Sequence, residues 1–253
     1  MNKITRRVLR ACHLYDAAVD FKHWLTDTEA VYVQFYSQFA GAGELCFDVG
    51  ANVGRRTRVF RRLGARVVAV EPQEQCMKRL RRKFGADGNV ILVPCAVGEK
   101  PGKAQIQLCD SHSLSSLSTR WIESVRTSGR YAQCTWGRSV TIDVTTLDDL
   151  IAKHGRPAFI KLDVEGYEYE ALKGLSQPVR SVCFEFTPEF IDSARQCIDH
   201  LSCIGAAHFN YCLEHAQTSL QLATWETAAG MHKRLDSLSA QNQAGDIYAR
   251  FSV

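Results

Sequence analysis

No stretch of about 18 consecutive apolar residues occurs in this sequence of 253 residues, so we expect no membrane-spanning helix. The basic residues near the N-terminus, Arg6, Arg7 and Arg10 among them, are not followed by the apolar core of a signal peptide. The ten cysteines include no CxxC pair with partners at zinc spacing, which argues against a zinc knuckle and fits a reducing compartment. We therefore expect a cytoplasmic protein.

The sequence also has little excess of charge of either sign. A net charge of +4 does not by itself indicate nucleic-acid binding. The charge is unevenly distributed, because residues 51–100 hold 12 basic and 4 acidic residues, whereas residues 141–200 hold 6 and 11. With 45% apolar and 23% charged residues, the composition is that of an ordinary globular protein.

Short apolar segments alternate with helical segments from residue 44 onward. Apolar and β-branched runs predict strands at 44–49, 66–70, 89–93, 158–163, 180–186, 206–213 and 246–252. Helical periodicity and closing glycines predict intervening helices at 55–63, 73–84, 146–154, 167–174 and 188–203. This alternation predicts an α/β fold with a mostly parallel seven-stranded sheet and helices on both faces.

Helical segments precede this alternation. Residues 3–25 and 28–40 both carry apolar residues at helical spacing. We therefore expect an N-terminal helical extension at 1–43 and a main domain at 44–253, without internal repeats.

One segment interrupts the alternating pattern. Residues 103–108 and 139–144 are predicted to form an inserted β-hairpin, because both alternate and are rich in β-branched residues. The polar loop between them, at 109–137, is long for a compact domain, and such loops are often functional. A second polar stretch, at 214–244, precedes the last strand.

The turn at 47–54 reads Phe-Asp-Val-Gly-Ala-Asn-Val-Gly and joins the first strand to the first helix of the sheet. Gly50 and Gly54 allow the backbone to approach a ligand closely, and the new helix offers unpaired N–H groups. The turn therefore suits a cofactor, and the alternative is a plain glycine-containing turn without a ligand.

The same turn does not match a dinucleotide site. The fingerprint G-x-G-x-x-G requires glycines where this chain has Asn52 and Arg55. Asp48 would attract an ammonium group but repel a pyrophosphate. The pattern instead resembles the D-x-G-x-x-x-G turn of class I methyltransferases that use S-adenosylmethionine (SAM).

Glu71 ends the second strand, 21 residues after Gly50, where a carboxylate can accept hydrogen bonds from both ribose hydroxyls. The alternative is a solvated glutamate at a strand end. After the third strand, Cys95 and Ala96 lie where this fold usually holds the adenine. The predicted cofactor-binding residues are Asp48, Gly50, Ala51, Asn52, Gly54, Glu71, Pro72, Cys95 and Ala96.

The chain as a whole resembles the FkbM-type methyltransferases. The matching segments are 47–54, 70–72 (Val-Glu-Pro), 96–98 (Ala-Val-Gly), 146–150 (Thr-Leu-Asp-Asp-Leu), 160–168 (Ile-Lys-Leu-Asp-Val-Glu-Gly-Tyr-Glu) and 245–249 (Gly-Asp-Ile-Tyr-Ala). The resemblance implies a Rossmann-like class I methyltransferase fold and SAM-dependent methylation, typically of hydroxyls on sugars, polyketides or related natural products. It therefore implies a small-molecule or glycan acceptor and does not favour nucleic acid.

Carboxylates at the carboxyl ends of the later strands are the predicted catalytic groups. Because ligands bind beyond these strand ends, Asp163, Glu165 and Glu185 should face the transferable methyl and the acceptor. A hydroxyl acceptor must lose its proton, and we assign the base to Asp163 or Glu185, with His112 as a less favoured candidate. Lys161 lies two residues before Asp163 on one strand, so it shares a face and can orient that carboxylate or balance its charge.

Two other interpretations of these carboxylates stay open. Glu165 and Glu168 would favour the dipole of the next helix if both lay in its first turn, which would make Glu165 structural. Asp163 and Glu185 could instead hold a divalent metal, but we place no further oxygen ligands and assign no metal.

Basic residues are concentrated on the helices predicted at 55–63 and 73–84. Right-handed crossovers put both helices on one face of the sheet, where they could contact an anionic membrane surface, RNA or an acidic glycan. The alternative is an ordinary solvated face. Besides the O-methyltransferase, two functions are therefore considered: an RNA methyltransferase that uses this face, and a non-catalytic SAM-binding module.

Overall fold

The computed structural model describes residues 28–252, so the helix predicted at 3–25 lies outside the described residues. All seven predicted strands of the main sheet are present, as β1 (Leu45–Val49), β2 (Arg66–Val70), β3 (Val90–Val93), β7 (Phe159–Leu162), β8 (Ser181–Phe186), β9 (Ala207–Leu213) and β10 (Gly245–Phe251). The helices are α1 (Thr28–Tyr36), α2 (Arg55–Arg62), α3 (Glu74–Phe84), α4 (Thr119–Thr127), α5 (Leu147–His154), α6 (Glu168–Leu172), α7 (Ile191–Ile204) and α8 (Ala228–Ala240).

The main sheet has the strand order β3-β2-β1-β7-β8-β10-β9. Strand β10 is antiparallel to β8 and β9, and the other neighbouring strands are parallel, which confirms the predicted mostly parallel sheet. Val49 of β1 pairs with Leu162 of β7, so the carboxyl ends of these two strands lie side by side. The strand order reverses between them, and ligands of open α/β sheets bind at this position.

Both faces of the sheet are covered because side chains alternate along each strand. Phe47 and Val49 belong to a core cluster that also contains apolar residues of α5 to α8. Cys46 belongs to a second cluster, on the opposite face, with residues of α1, α2 and α3. Val59 of α2 and Leu80 of α3 share that cluster, which confirms that the two basic helices cover one face.

Helix α1 packs directly on the main sheet. Phe39, shortly after its end, stacks on Phe159 of β7 and on Tyr248 of β10, with ring centroids 5.0 Å apart in each case. Tyr36 is fully buried in the same cluster. The part of the extension that the structure describes therefore completes one face of the core.

The predicted hairpin is present and belongs to a second sheet. Strands β5 (Gly102–Cys109) and β6 (Trp136–Thr145) are antiparallel, and the short strand β4 (Ala96–Val97) pairs with β6 in parallel.

The prediction of a loop at 109–137 was wrong over part of this segment, because the segment contains α4. The Ser118 hydroxyl accepts a hydrogen bond from the Trp121 N–H at 3.1 Å and caps the helix. Trp121, Ile122 and Val125 are buried. This N-cap and its spacing of apolar residues were signals that could have identified the helix.

The polar stretch predicted at 214–244 also contains a helix, α8. Met231, Leu235 and Leu238 are buried on one side of it, at the i, i+4, i+7 spacing of an amphipathic helix. Thr227 caps its first turn. Within residues 28–252, no helix combines the length and apolar character needed to cross a membrane.

Candidate active site

The turn after β1 brings the backbone of two strand ends together. Gly50 has φ of 82° and Asn52 has φ of 50°, and both are left-handed conformations that turn the chain sharply. A Cβ at Gly50 would collide with the carbonyl oxygen of Asp163 beyond β7. Only glycine therefore allows the two strand ends to approach each other this closely, and Gly50 also lines the cleft at this edge of the sheet.

Glu71 lies at the end of β2 and faces this turn. Its Oε2 accepts a hydrogen bond from the Asn52 N–H at 2.9 Å, and its Oε1 accepts one from the Gln73 N–H at 2.7 Å. Each carboxylate oxygen keeps a further acceptor site for hydroxyl donors such as those of a ribose. Burial raises the pKa of Glu71 to about 7.

A cleft of about 470 Å³, open to solvent, runs along the carboxyl edge of β1, β2 and β7. The predicted cofactor residues that line it are Gly50, Asn52, Glu71, Pro72, Cys95 and Ala96. The predicted catalytic residues Asp163 and Glu165 line its other end. The exposed backbone of Gly50 and the free acceptor sites of Glu71 are groups that suit SAM, and the placement of its adenosine stays a prediction.

Three predicted cofactor residues do not line the cleft: Asp48, Ala51 and Gly54. Asp48 is 1% exposed and accepts a hydrogen bond from the Thr57 hydroxyl at 2.5 Å, so its carboxylate fixes the first turn of α2. Burial raises the pKa of Asp48 to about 6. A Cβ at Gly54 would meet Leu80 of α3, which gives that glycine a packing role. Direct contact between Asp48 and the SAM ammonium stays a prediction.

The inserted segment covers the cleft through a short 3-10 turn, His112–Leu114. The His112 carbonyl accepts hydrogen bonds from the Asn52 side chain at 3.4 Å and from the Gln73 side chain at 2.9 Å. The Ser115 hydroxyl donates to the Gln73 side-chain carbonyl at 3.0 Å. Gln73 therefore ties the insert to the loop of Glu71, and no sequence motif had indicated this role.

Asp163, Glu165 and Glu185 come together as predicted. One carboxylate oxygen of each lies within 4.8 Å of the others, and we call these three residues the carboxylate cluster. Asp163 and Glu165 line the cleft, whereas Glu185 lines a neighbouring crevice of about 230 Å³. The cluster therefore lies where the two spaces meet.

Charge within the carboxylate cluster is concentrated. Burial, followed by the charges of neighbouring carboxylates, raises the pKa of Glu165 and Glu185 well above the ordinary range. These two groups consequently retain protons at pH values where an ordinary glutamate is ionised. Asp163 has the Lys161 ammonium 3.6 Å from its Oδ2.

Lys161 is 1% exposed and lies behind the cluster. Its ammonium donates to Asp246 Oδ1 at 2.9 Å, in addition to its contact with Asp163. Asp246 is the second residue of β10 and pairs in register with Glu185 of β8. The sequence interpretation missed Asp246, although its segment had been matched to the family's last strand.

The alternative interpretation, in which Glu165 lies in the first turn of the next helix, does not hold for Glu165. Glu165 precedes α6 and has φ of 54°, in a turn where its carbonyl accepts from the Ser116 hydroxyl at 2.6 Å. Glu168 is the structural carboxylate, because its Oε1 accepts from the N–H groups of Val164 and Gly166, both at 3.2 Å. The cluster has the oxygen chemistry that divalent cations prefer, so a metal there stays an alternative.

Burial raises the pKa of Glu71 and Glu168 from 4.5 to about 7, which predicts an unusual pH dependence of stability. As the pH rises through this window, each of these carboxyl groups ionises in the unfolded chain before it ionises in the folded protein. The free energy of unfolding therefore decreases as the pH rises. We expect Glu71→Gln, which cannot ionise, to gain stability relative to the wild type across the window, by up to ~3 kcal/mol.

Denaturant unfolding of both proteins at several pH values measures this difference. Glu74→Gln removes a mostly exposed carboxylate nearby and is the control, for which the difference should not vary with pH. Parallel pH profiles for Glu71→Gln and the wild type would contradict the prediction.

The strand order, the glycine turn after β1 and the buried acid ending β2 together define a class I methyltransferase, whose cofactor is SAM. A family model described as the methyltransferase FkbM domain matches residues 48–211. The chain therefore belongs to the FkbM methyltransferase family.

Individual proteins also resemble the chain. The hexuronic acid methyltransferase AglP of Haloferax volcanii is 30% identical over 144 residues, which cover 56% of this chain and 54% of AglP. The chain thus matches about half the length of that relative. A precorrin-6y C5,15-methyltransferase structure from Geobacter metallireducens is 11% identical, with a TM-score of 0.47 and coverage of 90% and 88%. An O-methyltransferase structure from Bacillus cereus in complex with SAH is 13% identical, with a TM-score of 0.42 and coverage of 90% and 81%.

Proposed function

We propose that this methyltransferase acts on oxygen, at a hydroxyl of a sugar or related natural product. The observation that carries the proposal is the carboxylate cluster between the cleft and the crevice. A proton acceptor is needed there if the nucleophile is a hydroxyl. The similarity to a hexuronic acid methyltransferase supports a sugar acceptor.

Gly50, Asn52 and Glu71 would hold SAM, with Pro72, Cys95 and Ala96 around its adenine. When bound, SAM would supply a methyl group activated by its sulfonium, and an acceptor hydroxyl that takes this methyl group would have to give its proton to a base. Asp163 is the proposed base, because its carboxylate lines the cleft and has Lys161 beside it. Alignment of the reacting atoms by the cleft would supply much of the acceleration.

Glu165 and Glu185 have a different proposed role. Because burial raises the pKa of both groups well above the ordinary range, their protonated forms are favoured and are suited to donate hydrogen bonds to acceptor oxygens. Lys161 and Asp246 act as positioning residues for Asp163, since their ion pair of 2.9 Å fixes the ammonium beside it.

The RNA methyltransferase alternative receives little support from the basic face. Arg58, Arg61 and Arg81 form ion pairs with Glu29, Asp87 and Glu74 at 2.8 to 3.1 Å, so part of the charge is balanced within the protein. Contact of the remaining basic residues with an anionic surface stays a prediction, as does a cytoplasmic location.

Calorimetric titration with SAM, with NAD as the control ligand, tests the cofactor site. We expect SAM to bind and to raise the unfolding temperature, whereas NAD should do neither, because Asn52 and Arg55 occupy positions where its fingerprint needs glycine. A response to NAD without one to SAM would refute the site. A non-catalytic module would bind SAM but would show no sensitivity of its function to Asp163→Asn.

A further inference from the structure

We propose that the outer face of α2 and α3 is a docking surface for an anionic lipid bilayer, whose phosphate groups contact the basic side chains of these two helices. The basic face, as we define it, consists of the basic residues of Arg55–Arg62 and Glu74–Phe84. The residues that line the cleft include none from either helix. The proposal therefore adds an interaction surface to the proposed methyl transfer and does not depend on it.

The two helices carry a high concentration of positive charge. Together they contain ten basic residues and a single acidic residue, Glu74. Four of the arginines form ion pairs, and their acidic partners are Glu29, Glu74 and Asp87. Ten positive charges against three negative charges leave an excess of seven on this side of the protein. A surface with such an excess of one sign attracts partners of the opposite charge.

The charges of both helices belong to one surface, because the start of α2 packs against the second half of α3. The Lys83 ammonium donates a hydrogen bond to the Val53 carbonyl at 3.1 Å. A Cβ at Gly54 would meet the side chains of Leu80 and Phe84. The two helices therefore lie side by side on the sheet, and their basic residues are not separated by another element.

Three basic residues of this face are open to a partner. Arg55, Lys78 and Arg82 are exposed, and none of them takes part in the ion pairs with Glu29, Glu74 and Asp87. Lys78 and Arg82 are four residues apart on α3, so they are neighbours on its surface. These three side chains can contact lipid phosphates without breaking an ion pair of the basic face.

The chain that precedes the described residues joins the fold beside the basic face. Glu29, the second residue of α1, lies 3.1 Å from Arg58 of α2. Residues 1–27 therefore continue from a point next to α2. Their first ten residues contain four basic and no acidic residues, together with apolar residues such as Val8 and Leu9. Basic and apolar residues in combination are typical of segments that bind at a membrane interface.

The composition of the basic face favours lipid phosphates over RNA. Proteins that bind single-stranded RNA stack its bases on exposed aromatic rings. In the part of the chain that the structure describes, Val31 is the only large hydrophobic side chain that is exposed, so the basic face offers no exposed ring. An anionic bilayer requires only cationic groups near its surface, and two adjacent basic helices supply them.

Cosedimentation of the full chain with lipid vesicles tests the proposal. The vesicles consist of phosphatidylcholine alone or of an equal mixture with the anionic phosphatidylglycerol. We expect binding to the mixed vesicles only, and loss of this binding at high salt, because salt screens exposed charges. The triple variant Arg55→Gln, Lys78→Gln and Arg82→Gln should bind the mixed vesicles about 100-fold more weakly than the wild type.

A matched control removes the same amount of charge elsewhere. It combines Arg126→Gln, Lys153→Gln and Lys233→Gln, all at exposed positions. Lys153 and Lys233 belong to helices α5 and α8, which cover the opposite face of the sheet. This control should bind the mixed vesicles like the wild type. Because all six residues are exposed, both triple variants should unfold at the wild-type temperature.

Four results would overturn the proposal. They are equal binding of the first triple variant and the wild type, equal binding to both kinds of vesicle, and equal weakening by the control variant. The fourth is displacement of the protein from the mixed vesicles by a short RNA at the same salt concentration, which would assign the face to nucleic acid. Failure to bind SAM would refute the proposed function and would leave the result with vesicles unaffected.

Discussion

Asp163→Asn is expected to lower the rate of methyl transfer by about 10³-fold, with SAM affinity changed by no more than about threefold. The substitution keeps the shape of the side chain but removes the base that takes the hydroxyl proton. It leaves in place the main-chain carbonyl of Asp163, which lies against Gly50 and shapes the cofactor turn. Single-turnover transfer and calorimetric titration with SAM separate the two effects.

The cluster supplies its own comparison for this prediction. Glu185→Gln should lower transfer less, because burial raises the pKa of Glu185 well above its ordinary range and favours the protonated form, which glutamine imitates. Asp143→Asn removes an exposed aspartate of β6, paired with Lys103, and should change nothing. Normal turnover of Asp163→Asn would show that the assignment is wrong, and a larger loss in Glu185→Gln would transfer the role to Glu185.

Glu71→Gln is expected to weaken SAM binding by about 100-fold. The wild-type carboxylate accepts hydrogen bonds from the backbone N–H groups of Asn52 and Gln73, and it retains acceptor sites toward the cleft. A glutamine has one acceptor oxygen, so its amide N–H₂ would face either a backbone donor or the ribose hydroxyls. An amide turned to a backbone N–H leaves two donors facing each other in a buried place, and an amide turned to the cleft removes an acceptor for the ribose hydroxyls.

Glu74→Gln is the matched control for this second prediction, since Glu74 lies three residues further along and pairs with Arg81 at 3.1 Å. Its SAM affinity should equal that of the wild type. SAM binding by the wild type should also weaken as the pH falls below about 7, the pKa of Glu71, and Glu71→Gln should lack this dependence. Equal affinities of Glu71→Gln and the wild type would remove Glu71 from the cofactor site.

Local sequence was sufficient for the strands and for the cofactor turn. The seven strands are short apolar runs, and a buried parallel strand needs little more than such a run between breaking residues. The turn was recognisable because the roles of Gly50, Asn52 and Glu71 depend on the geometry of the backbone near each of them. Sequence interpretation missed α4 and α8. Both are short amphipathic helices, and the polar residues on their exposed sides obscured the spacing of the buried apolar residues.

The electrostatic character of the site was decided by the tertiary structure alone. Lys161 meets Asp246 across 85 positions of sequence because β10 inserts antiparallel beside β8, and Gln73 meets Ser115 across 42 positions because the insert folds over the cleft. Sequence placed carboxylates at strand ends, but sheet register brought Asp163, Glu165 and Glu185 within 4.8 Å. Their shared burial, which no local pattern encodes, raises the pKa of Glu165 and Glu185.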